Sequence, residues 1–149
     1  MVSKYLIIYF IFISSLCANN EYFAITEAYN TSTHINSTTI VITENMDICQ
    51  SNLKGMKKAV IKDIKIINSK CYHKLPKKYK PILKYKPLKN TIYVSYTNVI
   101  WKTYSILSNI SKEWLSKEGC SSLINFYGQK FQNIKCVYYK KKLKKQIIN

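Results

Sequence analysis

Two histidines, His34 and His73, are the side chains of this chain best suited to acid–base chemistry. Imidazole titrates near neutral pH, so one histidine can accept a proton while the other donates one. A nearby lysine would stabilise the charge that develops on a phosphate under attack. The chain has 24 basic residues, all of them lysine, which makes this third group abundant. These residue types therefore allow phosphodiester hydrolysis.

The surroundings of the two histidines argue against that chemistry. His34 lies among glycosylation motifs, His73 opens a segment of prolines and lysines, and the Cys-Lys-x-x-Asn-Thr pattern of pancreatic-type ribonucleases is missing. The sequence also lacks Gly-rich loops, Gly-x-Ser-x-Gly, His-x-x-x-His and paired carboxylates. We therefore expect no enzyme, no catalytic residue, no cofactor and no metal site. A secreted basic ribonuclease-like hydrolase is the alternative.

Two short lysine clusters predict binding of a polyanion. Lysine provides a point charge that suits diffuse sulfate, whereas the forked guanidinium group of arginine, which recognises phosphate and guanine, is absent from this chain. We expect sulfated glycosaminoglycans rather than nucleic acid, with membrane attack by a lysine-rich amphipathic helix as a further alternative. The predicted polyanion-binding residues are Lys77, Lys78, Lys80, Lys140, Lys141, Lys142, Lys144 and Lys145.

The first 18 residues are typical of a cleaved secretory signal, with one lysine, a short apolar run and small residues at the end. Removal of residues 1–18 also removes Cys17 and leaves four cysteines: Cys49, Cys71, Cys120 and Cys136. Their spacing does not fit a zinc site, so we expect two disulfides, no retained membrane anchor and an extracellular location. Three sequons predict N-glycosylation at Asn30, Asn36 and Asn109.

The segments of the mature chain differ in charge and in hydrophobic period. Residues 19–45 form an acidic segment that we expect to be glycosylated, with a short β-branched strand at 38–43. Residues 46–149 form a basic domain, in which apolar residues recur every three or four positions at 46–71 and again at 91–118. Both stretches predict amphipathic helices, the first capped by Asn45 or Asp47 and the second ending at Gly119. Residues 91–97, which are rich in β-branched and aromatic side chains, would suit a strand equally well. Residues 73–90, with three prolines, predict an extended connector.

The last segment, residues 120–139, fits two structures. A helix places its apolar side chains on one face, whereas a hairpin centred on Gly128 places Cys120 opposite Cys136. We favour the helix because the hairpin mixes polar and apolar residues on both faces. Helices of this length hold Cys49 about 33 Å from Cys71, and Cys120 about 24 Å from Cys136. The helices therefore predict disulfides between them, Cys49 to Cys136 with Cys71 to Cys120 or the parallel alternative.

These features together predict a mostly α fold, a small disulfide-linked bundle of about three amphipathic helices with a short N-terminal strand. A β-rich or α+β secreted domain is the alternative. The expected function is that of a secreted glycoprotein that binds an extracellular or cell-surface protein, as a cytokine-like or host-interacting effector does, and that glycosaminoglycans retain through the lysine clusters.

Overall fold

The structure, a computed structural model, describes residues 21–58, 62–97, 101–111, 114–128, 131–139 and 145–148. Within these ranges seven strands form one sheet, in the order β3-β1-β2-β5-β4-β6-β7, and every neighbouring pair is antiparallel. The strands are β1 (Tyr22–Asn30), β2 (Asn36–Thr43), β3 (Ile64–Tyr72), β4 (Thr91–Thr97), β5 (Lys102–Ser108), β6 (Gln132–Tyr139) and β7 (Lys145–Ile148). The prediction of a helical bundle is therefore wrong.

Two helices cover one side of the sheet, which we call the helix face. They are α1 (Met46–Lys58) and α3 (Lys117–Gly128). Cys49 and Leu53 of α1 pack on Ala24 and Val41, while α3 packs on β4 and β6. The predicted cap of α1 is confirmed, since Asn45 Oδ1 accepts a hydrogen bond from the Ile48 N–H at 2.9 Å.

The connector, residues 73–90, covers the other side of the sheet, which we call the connector face. It is not extended: it contains a 3₁₀ turn (Lys77–Tyr79) and the short helix α2 (Lys80–Leu83). Its prolines do not oppose these turns, because Pro76 precedes the first and Pro81 lies at the start of the second, where a missing N–H costs nothing. Tyr79 and Ile82 are buried against the sheet.

Of the two helices predicted at 46–71 and 91–118, the first is helical only in part and the second is wrong. The first ends at Lys58, and its continuation is β3. The second is replaced by β4 and β5, and Gly119 lies in the first turn of α3 instead of ending a helix. Residues 120–139 match neither predicted structure, because they contain the end of α3 followed by β6. The strand predicted at 38–43 is part of β2.

The four predicted cysteines form two disulfides, but not in the pairs that the favoured helices predicted. Cys49 is bonded to Cys71 and Cys120 to Cys136, with Cα atoms 6.1 and 5.6 Å apart. The predicted distances of tens of ångströms assumed uninterrupted helices. In each pair the first cysteine instead lies in a helix and the second in a strand that contacts this helix.

The two halves of the sheet repeat one ββαβ arrangement. In each half a hairpin is followed by a helix and by a strand that pairs with the first strand of that hairpin, as β1-β2-α1-β3 and as β4-β5-α3-β6. The two halves meet where β2 pairs with β5. In this antiparallel pair Val41 faces Thr103 and Thr39 faces Ser105, so a two-fold rotation about an axis perpendicular to the sheet exchanges the two strands and, with them, the two halves. The two disulfides hold equivalent places in this repeat, since Cys71 pairs with Ala24 of β1 and Cys136 pairs with Val94 of β4. The described part of the acidic segment, residues 21–45, is thus an integral part of the first half.

Candidate functional site

The lysines of the connector form a surface layer over the connector face. Seven lysines lie between residues 73 and 90, the same stretch contains no acidic residue, and every one of the seven is exposed. The apolar residues of the connector point the other way, and Tyr79 and Ile82 join the core formed with Phe23 and Tyr93. One side of the connector is therefore charged and faces solvent, and its other side is apolar and packs on the sheet. The lysines are Lys74, Lys77, Lys78, Lys80, Lys84, Lys86 and Lys89.

Three strands add lysines to the same side of the sheet. Lys70 of β3 pairs with Ile25, Lys102 of β5 pairs with Ile42, and Lys135 lies on β6. Because side chains alternate between the two faces along a strand, all three lysines lie on the connector face. The ammonium group of Lys135 lies 5.5 Å from the ring centre of Tyr85. Lys70 makes a similar cation–π contact, with its ammonium group 5.7 Å from the ring centre of Tyr72.

One carboxylate, Glu27 of β1, reaches the connector and is paired. Its two oxygens accept hydrogen bonds from Lys78 Nζ and Asn68 Nδ2, each at 3.1 Å. Burial of the Glu27 carboxyl favours its neutral form, but these hydrogen bonds outweigh burial and lower the pKa of Glu27. The pair ties the 3₁₀ turn to the sheet and neutralises one of the seven connector charges.

Buried tyrosine hydroxyls fix the second part of the connector. Tyr93 Oη donates to the carbonyl oxygen of Lys86, and Tyr139 Oη donates to the carbonyl oxygen of Tyr85. Tyr85 Oη in turn donates to Ser95 Oγ at 2.6 Å. Burial, followed by the neighbouring Tyr139, raises the pKa of Tyr93 to about 12. The lysines on this part of the chain are therefore carried by a fixed backbone.

The predicted lysine clusters are only partly within the described residues. Lys77, Lys78 and Lys80 lie in the connector layer, as described above. Lys140, Lys141, Lys142 and Lys144 lie outside the described residues, and so does the signal segment 1–18. Lys145 is exposed at the start of β7, where it pairs with Tyr139. The lysines of β3, β5 and β6 were missed, because only strand register shows that they share this face.

The two histidines lie at opposite ends of β1. Tyr29 Oη is 2.5 Å from Nδ1 of His34, and the ring of Tyr22 contacts that of His73 with centroids 5.0 Å apart. The two tyrosines are seven residue steps apart along β1, which corresponds to about 23 Å. The two imidazoles cannot act on one phosphate across that distance, so the two-histidine mechanism of the hydrolase alternative has no assembled site.

The described part of the chain offers no other clear functional feature. It contains no cluster of three or more His, Cys, Asp or Glu side chains placed to hold a metal ion. None of its helices combines the length and apolar character that crossing a membrane requires. The two disulfides are compatible with secretion.

Comparison with known proteins adds no homologue, because no family model, no curated protein and no solved structure matches this chain.

Proposed function

We propose that this protein is a secreted binding protein and that its connector face holds a sulfated polyanion of the glycosaminoglycan class. The observation that carries the proposal is the layer of seven exposed lysines on a connector without acidic residues. Outside the cell, sulfated sugar chains are the abundant polyanions, and the two disulfides agree with that location. Binding of an extracellular or cell-surface protein partner belongs to the same proposal.

The layer suits a flexible sulfated chain better than a single small anion. Its charges are spread along 16 residues of the connector, from Lys74 to Lys89, and are not gathered into one pocket. Each ammonium group is a solvated point charge, and several of them can contact successive sulfates without a fixed hydrogen-bond geometry. Fixing the backbone beneath them lowers the entropy that is lost on binding.

Heparin chromatography of the oxidised protein tests the proposal. Replacing Lys77, Lys80 and Lys84 by glutamine removes three charges from the connector layer and leaves Lys78 paired with Glu27. The control replaces Lys54, Lys57 and Lys58 of α1, which are exposed and belong to the helix-face side of the molecule. Both triple variants lower the net charge of +17 by the same amount.

We expect the connector variant to elute at clearly lower salt, while the α1 variant elutes close to the wild type. Exposed charges separated by more than the Debye length, about 8 Å at physiological ionic strength, interact weakly, so binding depends on local density and not on net charge alone. Equal shifts of the two variants would show non-specific attraction and contradict the proposal. Elution of the wild type below physiological salt would also contradict it.

A further inference from the structure

The three sequons meet at one end of the sheet, although they are far apart in sequence. Asn36, the first residue of β2, pairs with Tyr29 on one side and with Ser108 on the other. Asn30 follows Tyr29 directly, and Asn109 follows Ser108. With strands about 4.8 Å apart, Asn30 and Asn109 lie roughly 10 Å from each other on either side of β2.

The side chain of Asn30 is fixed in a way that leaves its amide nitrogen for modification. Its Oδ1 accepts hydrogen bonds from Ser32 N–H at 3.0 Å, Ser32 Oγ at 2.7 Å and Thr33 N–H at 3.0 Å. Such a turn uses the oxygen of the amide and not its nitrogen. N-glycosylation forms a bond between Nδ2 and the sugar C1, so these three hydrogen bonds are compatible with an attached glycan.

Asn109 is exposed by its backbone conformation. Its φ of 62° lies in the left-handed region, which asparagine tolerates better than most residues. The next residue, Ile110, is buried, and its N–H donates to the carbonyl oxygen of Asn90 at 3.2 Å. This anchor turns the chain at Asn109 and leaves Asn109 and Ser111 at the surface.

Asn36 is half-buried, as Asn30 is, but the rest of its sequon differs. The two residues that complete the Asn36 sequon are half-buried within β2, whereas the two that follow Asn30 are exposed in a turn. Asn36 has a strand on each side, with Tyr29 and Ser108 as its cross-strand neighbours on the same face. These neighbours lie about 5 Å away across the strands, so they leave little room for a sugar beside the Asn36 side chain.

We infer that Asn30 and Asn109 carry N-linked glycans, that Asn36 carries none, and that sugar covers this end of the sheet. In the reaction Nδ2 loses a proton and bonds to C1 of a lipid-linked oligosaccharyl diphosphate, while the C1–O bond breaks and the lipid diphosphate leaves. The inference rests on the export step of the proposed function. It places any protein partner away from this end.

The test uses the full chain, including residues 1–18, secreted from a eukaryotic cell line. Peptide N-glycosidase converts each glycosylated asparagine to aspartate, and mass spectrometry of peptides then identifies the sites. Ser32→Ala and Ser111→Ala each remove the sequon hydroxyl without changing the asparagine. Ser32→Thr and Ser111→Thr are the matched controls, because they keep a hydroxyl at the same position.

We expect conversion at Asn30 and Asn109 only, loss of one glycan in each alanine variant, and no loss in either threonine variant. Thr38→Ala, which destroys the Asn36 sequon, should leave the mobility of the protein unchanged. Conversion at Asn36, or an unmodified Asn30 or Asn109 in the secreted protein, would overturn the inference. Protein retained in the cytosol would overturn export as well. Heparin retention of the deglycosylated protein measures the connector face separately, so the two failures are distinguishable.

Discussion

Removal of the two buried tyrosine hydroxyls tests whether they hold the connector on the sheet. Tyr93 and Tyr139 are 0% and 1% exposed, and their rings meet edge to face with centroids 5.6 Å apart. Tyr93→Phe and Tyr139→Phe keep the rings and their packing. Each variant removes one hydroxyl and leaves one connector carbonyl, at Lys86 or Tyr85, without that donor.

We expect each substitution to lower the free energy of unfolding by about 1–2 kcal/mol. A hydrogen bond contributes roughly 1 kcal/mol net, and an unsatisfied buried partner costs about 1–3 kcal/mol. For a domain of this size the change corresponds to a loss of roughly 4–8 °C in Tm. Urea unfolding followed by tryptophan fluorescence measures it. Tyr29→Phe is the control, since its hydroxyl contacts the exposed His34 and its loss should cost less than about 0.5 kcal/mol.

The stability of the protein at alkaline pH provides a second test of the buried Tyr93 hydroxyl. Tyr93 titrates near 12 in the folded protein, against 10 for an unperturbed tyrosine. A raised pKa means that the neutral form is favoured on folding, so this stability is intact below pH 10 and is lost as pH rises from 10 to 12. The loss due to Tyr93 is at most about 3 kcal/mol. Tyr93→Phe should reduce the alkaline loss by that amount and leave a remainder, because burial also raises the pKa values of Tyr85 and Tyr139. The reasoning is refuted if both phenylalanine variants match Tyr29→Phe in stability and Tyr93→Phe leaves the alkaline loss as large as in the wild type.

Gly55 of α1, Gly119 of α3 and the Glu27 pair give further predictions. Gly55→Ala should stabilise the protein by about 0.5–1 kcal/mol, because a Cβ there meets no atom within 4 Å. Gly119→Ala should destabilise it despite the helix preference of alanine, because the new Cβ collides with the carbonyl oxygen of Trp114; thermal unfolding that gave both variants the same sign would contradict this. The lowered pKa of Glu27 predicts stability that is present above about pH 4.5 and is lost below it, by roughly 1 kcal/mol or less since Lys78 is exposed. Glu27→Gln should remove that acid-induced loss in urea titrations at pH 3 to 6, and an unchanged pH profile would contradict the assignment.

The strands β4 and β5 were predicted as one helix because both of their sides are buried, although the residues of β4 also fitted the strand alternative at 91–97. Tyr93, Tyr96, Tyr104 and Leu107 recur at helical intervals and predicted one helical stripe. In the sheet they divide equally between the two faces, with Tyr93 and Tyr104 under the connector and Tyr96 and Leu107 under α3. A strand covered on both sides shows no alternation of polar and apolar residues, so its period is hidden.

A β-bulge produced the false continuation of the first helix. Ile64, Ile67 and Cys71 are spaced by three and four residues, as in a helix. In β3 the register with β1 skips Ile67, since Glu27 pairs with Asn68 while Ala28 pairs with Ile66. The extra residue shifts the alternation by one position and leaves Ile67 63% exposed at the sheet edge. The sequence offers no local signal for such a bulge.

The candidate site was predictable where it depends on local composition. The prolines and lysines of residues 73–90 mark a basic surface segment, and that part of the prediction needs no tertiary structure. Its turns, its buried underside and the contribution of Lys70, Lys102 and Lys135 depend on which strands are neighbours. The strand order depends on pairings between segments that are far apart in the sequence, such as β2 with β5, and local composition does not predict such pairings.

The repeated halves give a physical reason for where the connector lies. Each disulfide closes a loop within its own half, with sequence separations of 22 and 16 residues, and each should contribute about 3 kcal/mol by loop entropy. Neither of them crosses the β2–β5 junction, which is held by backbone pairing and by contacts such as Thr39 Oγ1 to Ser105 Oγ at 3.0 Å. The connector bridges both halves, because its buried residues pack on β1 and β2 as well as on β4, β5 and β6. The segment that exposes the lysines therefore also joins the halves, so loss of its tyrosine hydrogen bonds should weaken the junction and the polyanion surface together.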